Sequence, residues 1–169
     1  MSSNEGAAAA APNRPQTQEG PQLALQTIYL KDCSFEAPNG PRVEGNWNPQ
    51  INLDLGTAVN QLAPDFREVV LTVTVSAKQN DATVFLVEVK QAGVFLMRNL
   101  SPDDLKRAVG SVCPNILFPY ARAAVSQLVT QGGFPQFLLP PVNFDALYAR
   151  SGTDPQQPAA PNGESGATN

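Results

Sequence analysis

The side chains that most often do chemistry in proteins are scarce in this sequence. It contains two cysteines, Cys33 and Cys113, and no histidine. Without histidine, a single chain cannot build a Ser-His-Asp triad, a Cys-His nucleophile pair or a histidine-containing zinc site. The cysteines lie far apart in sequence, form no CxxC motif and could supply only half of a four-thiolate zinc site. We expect reduced, buried thiols and no metal site.

Carboxylate pairs are the remaining candidates for acid–base chemistry. Asp32 and Glu36 lie on one alternating segment, but four strand residues at about 3.3 Å each separate them by about 13 Å. That is too far for a carboxylate pair that shares one site. The sequence also lacks the GxxxxGK[ST] and GxGxxG loops that cradle nucleotide phosphates. We therefore expect no enzymatic activity, no ATP dependence and no cofactor.

The charge balance argues against two classes of partner. The chain has 11 Lys+Arg and 15 Asp+Glu, and no run of basic residues. Nucleic-acid binding needs a clustered basic surface, and a peripheral membrane anchor often needs a polybasic segment. The first residues lack a basic start and a leucine-rich core, so we expect no secretory signal. No stretch approaches the ~20 apolar residues that span a bilayer, which predicts a cytoplasmic protein that does not insert into membranes.

Composition divides the chain into three parts. Residues 1–22 and 151–169 contain no Val, Ile, Leu, Phe, Tyr or Trp. Such segments cannot bury enough apolar surface to fold. We predict a disordered Ala/Pro-rich extension over 1–22, a folded domain over 23–150 and a disordered Pro/Gln/Gly tail over 151–169.

Four segments of period-two alternation predict strands over residues 28–36, 51–55, 69–77 and 83–91. In the first, residues 28, 30, 32, 34 and 36 should share one face. In the fourth, Leu86, Glu88 and Lys90 should lie opposite Phe85 and Val87. Because turns and loops without helices join the segments, they favour an antiparallel sheet.

Helical signals follow the strands. Ser101 can cap a short helix to about Gly110, and Cys113-Pro114 should interrupt it. Pro119 can open a longer helix through Gln131, prolines should keep residues 134–141 extended, and Asn143 can cap a last helix through Tyr148. The predicted fold is therefore α+β: a four-stranded antiparallel sheet followed by a long helix and a short terminal helix.

Aromatic and aliphatic residues crowd the loop-rich second half. On physical grounds they could form an apolar groove that stays partly open, or an ordinary core that the extended arm covers. The crowded residues are Phe118, Tyr120, Phe134, Phe137, Leu138, Leu139 and Phe144.

Three segments resemble one family. They are IYLKD with SFEAPN over 28–39, CPNILFPYAR over 113–122, and PPVNFDAL over 140–147. Together they resemble SecB, the bacterial protein-export chaperone family, in the family's order and across essentially the whole core.

The resemblance implies a cytoplasmic homotetramer, a dimer of dimers in which the long helices pack between dimers. It implies a chaperone that binds unfolded precursor proteins without ATP, keeps them competent for translocation and delivers them to the SecA motor. The main alternative is a chaperone of the same fold dedicated to the antitoxin of a toxin–antitoxin system.

The resemblance also implies two sites. The SecA-docking surface, on the solvent side of the sheet, corresponds to Asp32, Glu36, Leu86 and Glu88. The groove for client polypeptides lies between the sheet, the extended arm and the last helix. Its expected residues are Phe85, Phe118, Tyr120, Phe134, Phe137 and Leu139; an equally weighted alternative makes Phe85 and Phe118 purely core residues.

Overall fold

The structure is a computed structural model that describes residues 20–42 and 45–151. Strands come first and helices second, as the sequence predicts. The elements are β1 (Gln22–Glu36), β2 (Gln50–Ala63), β3 (Phe66–Gln79), β4 (Ala82–Arg98), α1 (Pro102–Arg107), a π-helical segment (Ala108–Val112), α2 (Cys113–Gln131) and α3 (Phe144–Arg150). Most of the predicted extension and tail lies outside the described residues, but β1 already begins at Gln22.

The four strands form one antiparallel sheet in the order β1-β4-β3-β2. A tight turn joins β3 to β4, where Asn80 and Asp81 adopt φ values of 51° and 61°. Asn and Asp tolerate this left-handed conformation, which suits the twist of a two-residue hairpin. This turn lies between the third and fourth predicted strands, and the predicted α+β fold is confirmed.

One face of the sheet packs against α2 and forms the core; we call it the inner face and the opposite one the outer face. The apolar residues that alternate along β3 and β4 on this face are fully buried, namely Val69, Leu71, Val73, Val75, Phe85, Val87 and Val89. From α2, Leu117, Ala121, Val125 and Val129 complete this layer. At Gly93 an added Cβ would lie 2.8 Å from a ring carbon of Phe95 and 3.0 Å from Leu117 Cδ2, so this glycine permits the close approach of α2.

All four strands are longer than predicted. β4 continues to Arg98, and long extensions also occur at the start of β1 and the end of β2, where Gly56–Ala63 continue the pairing with β3. The extensions of β1 and β2 lack a clean apolar–polar alternation because their side chains are mostly exposed on both faces. Backbone pairing with β4 and β3 extends β1 and β2 beyond the residues whose apolar–polar alternation predicts a strand.

A β-bulge at Lys31 interrupts the pairing of β1 with β4. Leu30 pairs with Gln91 and Asp32 pairs with Lys90, so Lys31 is an extra residue without a partner across the ladder. Inserting one residue inverts the alternation of all side chains beyond it.

The prediction that residues 28, 30, 32, 34 and 36 share one face is therefore wrong. Asp32 and Glu36 do lie together on the outer face, where they pair with residues of β4 that alternate with the core. Ile28 and Leu30 lie on the inner side, and Tyr29 lies on the outer face instead of with Cys33.

The prediction of two helices separated at Cys113-Pro114 is also wrong, because the chain stays helical from Pro102 to Gln131. The Cys113 N–H donates to the Ala108 carbonyl in the wider π spacing, just before Pro114, which has no N–H to place. Pro119 lies inside α2, and the residue four positions earlier, Asn115, is exposed. Water can therefore solvate the carbonyl that Pro119 leaves unpaired.

Two predicted helix caps are confirmed. The Ser101 side chain accepts a hydrogen bond from the Asp104 N–H, and the Asn143 side chain accepts one from the Ala146 N–H. Between α2 and α3, residues 134–143 contain neither helix nor strand, in agreement with the prediction from their prolines. We call residues 134–143 the arm.

Candidate binding surfaces

The outer face of the sheet carries an exposed group of acidic side chains. Cross-strand pairing places Ser34, Glu88, Thr74 and Asp54 in one row across all four strands. Asp32 lies in the row on one side of it, and Glu36 and Leu86 lie in the row on the other. We call Asp32, Glu36, Asp54, Leu86 and Glu88 the acidic face.

The four residues expected at a docking surface thus lie together. Side-chain exposure is 61% for Asp32 and 37% for Glu88, so water and a partner can reach both carboxylates. Leu86 is half-buried between Glu36 of β1 and Ser76 of β3. The acidic face therefore combines charge with a small apolar contact area.

Lys90 is a basic residue within the acidic face. Its Nζ lies 3.3 Å from Glu88 Oε1 and 3.4 Å from Asp32 Oδ2. The hydrogen bonds to Glu88 and then to Asp32 raise the pKa of Lys90, so it stays protonated. Lys90 offsets part of the negative charge, but the carboxylates of Glu36 and Asp54 have no ion pair with it. The face remains net negative and suits a basic partner.

Asp54 was not among the predicted site residues. It alternates with Leu53 and Leu55 along β2 and is exposed. Its membership of the acidic face depends on the strand order, which places β2 beside β3 and aligns Asp54 with Thr74. No local signal in the sequence carries that information.

The acidic face does not form a metal site or a catalytic pair. Among the described residues, no three His, Cys, Asp or Glu side chains are grouped closely enough to hold a metal ion. Asp32 and Glu36 lie in different cross-strand rows, separated by the row of Ser34. The arrangement can attract and orient a charged partner, and it supplies no pair of carboxylates with a shared proton.

The predicted groove residues separate into buried and accessible ones. Phe85, Phe118, Phe134 and Leu139 are at most 6% exposed and belong to the core. Phe134 lies against Phe85, with ring centroids 5.3 Å apart. Tyr120 is 52% exposed and Phe137 is partly exposed. In this conformation Phe85 and Phe118 are core residues, Phe134 and Leu139 are the residues through which the arm packs on the core, and only Tyr120 and Phe137 offer accessible surface.

Phe134 anchors the start of the arm in an aromatic cluster. Its ring lies 5.8 Å from Trp47 and 6.2 Å from Phe35, measured between ring centroids, in addition to its contact with Phe85. Such tilted and stacked rings each contribute beyond the area that they bury. The arm therefore closes over the end of the sheet through Phe134, while Leu138 projects into solvent with 55% exposure.

The π-helical segment provides the docking site of α3. Gly110 contacts the ring of Tyr148 so closely that an added Cβ would lie 2.5 Å from Tyr148 Cδ2. The neighbouring Ser111 hydroxyl, which is fully buried, donates to Asp145 Oδ1 at 2.7 Å. Phe144 adds an edge-on contact with Phe118. A helix of this length depends on such tertiary contacts for its stability.

Comparisons with known proteins identify the family. Residues 16–154 match the family described as SecB, preprotein translocase subunit SecB. This chain belongs to the SecB family. The protein-export protein SecB of Pseudomonas paraeruginosa is 53% identical over 142 residues, which cover 83% of this chain and 87% of that protein. The protein-export protein SecB of Hahella chejuensis is 52% identical over 143 residues, covering 83% of this chain and 90% of that protein.

A solved structure supports the fold. A SecB-like chaperone of Mycobacterium tuberculosis, in complex with a peptide from an antitoxin, superposes with a TM-score of 0.61 at 17% identity. The match covers 71% of this chain and 90% of that chain. SecB proteins are protein-export chaperones and not a family of enzymes. No helix in the described part of this chain is long and apolar enough to cross a membrane.

Proposed function

We propose that this SecB-family protein binds unfolded precursor proteins in the cytoplasm, without ATP, and delivers them to the SecA motor through its acidic face. The observation that carries the proposal is the grouping of Asp32, Glu36, Leu86 and Glu88 on one exposed surface of the sheet. Relatives named protein-export protein SecB, about half identical over most of their length, support the export role.

The motor contact is the part of the proposal that charge variants test most directly. Asp32→Lys reverses one exposed charge of the acidic face, whereas Asp103→Lys makes the same change on α1, at an exposed position distant in sequence. We expect Asp32→Lys to weaken SecA binding about tenfold, mainly through slower association. Its binding should also depend less on salt concentration than that of the parent protein. Asp103→Lys should bind like the parent protein.

Titration calorimetry at low and high salt measures both variants, with light scattering to show that assembly is unchanged. Equal affinity of Asp32→Lys and the parent protein would remove the acidic face from the docking surface. Equal weakening by Asp103→Lys would mean that net charge alone, and not this surface, governs binding.

For clients, we propose that unfolded polypeptides contact exposed apolar side chains next to the arm, beginning with Phe137. The buried residues of the predicted groove set would take part only if the arm moved, because Phe134 and Leu139 are enclosed in the described conformation. Apolar contacts of this kind suit clients that are recognised by exposed hydrophobic segments instead of a fixed sequence.

Phe137→Ser tests client binding, and Leu105→Ser on α1 is the matched control for loss of a partly buried apolar side chain outside the arm and the last helix. We expect Phe137→Ser to shorten the time for which an unfolded precursor stays soluble and bound, and Leu105→Ser to leave it unchanged. If both variants hold the precursor equally well, Phe137 is not a client contact.

We propose a homotetramer for the working assembly. Apolar side chains at both sheet edges are left between 37% and 57% exposed in the single chain, namely Leu23, Leu25, Leu30, Val59 and Leu62. Exposed apolar groups that follow one another along an edge mark surfaces for association. Light scattering should give a mass of four chains; a monomer at working concentration contradicts this part of the proposal.

The alternative client is a single antitoxin. The structural match that involves an antitoxin peptide is 17% identical to this chain, whereas the protein-export relatives are 53% and 52% identical. The export role is therefore favoured. A holdase that protects several unrelated unfolded precursors fits export, and protection restricted to one small antitoxin would fit the alternative.

A further inference from the structure

Glu68 is an unusual residue on the outer face of the sheet. It lies near the start of strand β3 on the solvent side, yet it is only 5% exposed and is the one buried charged side chain within the described ranges. Burying a carboxylate is costly unless it is paired and hydrogen-bonded. The contacts of Glu68 therefore call for a functional explanation.

Three side chains cover Glu68 and satisfy both of its oxygens. Lys31 Nζ and Asn60 Nδ2 donate to Oε2 at 2.7 Å and 2.8 Å, and the Tyr29 hydroxyl donates to Oε1. These donors hold the pKa of Glu68 at about 2, with Lys31 as the largest cause. The carboxylate is therefore fully charged at neutral pH, and each of its oxygens accepts at least one hydrogen bond.

The cluster crosses the whole sheet. Tyr29 and Lys31 belong to β1, Glu68 to β3 and Asn60 to β2, so the side chains from β1 must pass over β4. The residue of β4 opposite Tyr29 is Ala92, whose methyl group leaves room above the sheet. Four polar groups on three strands thus meet on the outer face, and the two from β1 reach Glu68 across β4.

Lys31 lies where this cluster adjoins the acidic face, and its ion pair with Glu68 holds its side chain in the cluster. It is the bulge residue directly before Asp32, and both side chains project from the outer face, towards Glu68 and Lys90 respectively. Two lysines therefore flank Asp32. Lys90 pairs with acids of the face, whereas Lys31 pairs with Glu68, outside the face.

We propose that Glu68 is a positioning residue that keeps the charge of Lys31 away from the acidic face, so that only Lys90 offsets the carboxylates presented to a basic partner. The inference rests on the proposed docking function for its consequence, but the arrangement of charges is testable without a partner. The Lys31–Glu68 pair is neutral as a unit, and its contribution to the field over Asp32 is small.

A matched pair of variants tests the consequence. Lys90→Met removes one positive charge next to Asp32, whereas Lys31→Met combined with Glu68→Gln removes both charges of the neutral pair. We expect Lys90→Met to tighten SecA binding about threefold, and the double variant to stay within about twofold of the parent protein. If the double variant tightens binding as much as Lys90→Met does, the charge of Lys31 already acts on the acidic face and the inference is wrong.

Releasing Lys31 is the complementary test. Glu68→Gln keeps the shape of the side chain and removes its charge, so the Lys31 ammonium becomes free to approach Asp32. We expect about threefold weaker SecA binding, and recovery of the parent affinity when Lys31→Met is added. A residue that only stabilised the sheet would not be rescued by removal of its partner, so failure of the rescue would overturn the positioning role.

A readout without SecA separates this inference from the docking proposal. The rate at which an amine-directed acylating reagent modifies Lys31, followed by mass spectrometry, should rise in Glu68→Gln while that of Lys90 stays constant. An unchanged rate for Lys31 would contradict the inference whatever SecA does. If acylation responds as expected but Asp32→Lys binds SecA normally, the positioning role stands and the docking proposal fails.

Discussion

Replacing Phe134 by alanine would show whether the beginning of the arm is part of the core or part of an open client groove. The Phe134 side chain is 4% exposed, and its ring centroid lies 5.3 Å from that of Phe85 and 5.8 Å from that of Trp47. Truncation of a buried phenylalanine costs about 3–5 kcal/mol, and lost aromatic pairs account for about 1 kcal/mol each of such totals. We expect Phe134→Ala to lower the free energy of unfolding by about 4 kcal/mol.

Leu138→Ala is the matched control, because Leu138 lies in the same arm but is 55% exposed. Its expected cost is within about 0.5 kcal/mol. Urea unfolding at one fixed protein concentration measures both, since assembly makes stability depend on concentration. If Phe134→Ala unfolds at the same urea concentration as the parent protein and instead loses precursor binding, the ring is a client contact and our reading of it as a core residue is wrong.

Three further predictions concern a titration, a thiol and a helix contact. The pKa of Glu68 is lowered from 4.5 to about 2, so the unfolded chain binds this proton at higher pH than the folded protein does. Its contribution to stability should be complete above pH 4.5 and should disappear as the pH falls towards 2, and Glu68→Gln should flatten this part of a stability–pH curve; parallel curves for both proteins would contradict it. Burial raises the pKa of the Cys113 thiol to about 12, so a thiol reagent at neutral pH should modify only the exposed Cys33, and rapid labelling of Cys33→Ser before unfolding would refute this. Gly110→Ala should displace α3, because the new Cβ would lie 2.5 Å from Tyr148 Cδ2. Amide hydrogen exchange in α3 should then be faster than in the parent protein. Adding Tyr148→Ala should restore part of the lost protection against exchange.

Local sequence patterns determined the elements and much of the core. Alternation in β3 and β4 correctly separated the buried valines from the outer threonines, because a sheet covered on one face by helices requires that periodicity. Ser101 and Asn143 marked helix starts, since their side chains can accept from backbone N–H groups that the helix leaves unpaired. Three short motifs also indicated the SecB family, and the comparisons confirm it.

The bulge at Lys31 and the continuous helix through Pro114 were decided by tertiary contacts. The alternating pattern of β1 does not show where a bulge interrupts it. The position of the bulge depends on the pairing with β4 and on the ion pair between Lys31 and Glu68. A proline normally ends a helix, but a preceding π-helical turn that is packed against α3 can accommodate it.

The surfaces depended even more on the assembled fold. Asp54 joins Glu88 in one row because β2 and β4 flank β3. The residue pattern of a single strand does not predict which strands lie beside it. Phe85 and Phe134 could equally have lined a groove, and contact between residues distant in sequence buries them. Composition and periodicity thus indicate which side chains are apolar and favour burial. Long-range pairing determines which of them contact one another and which stay exposed on the surface.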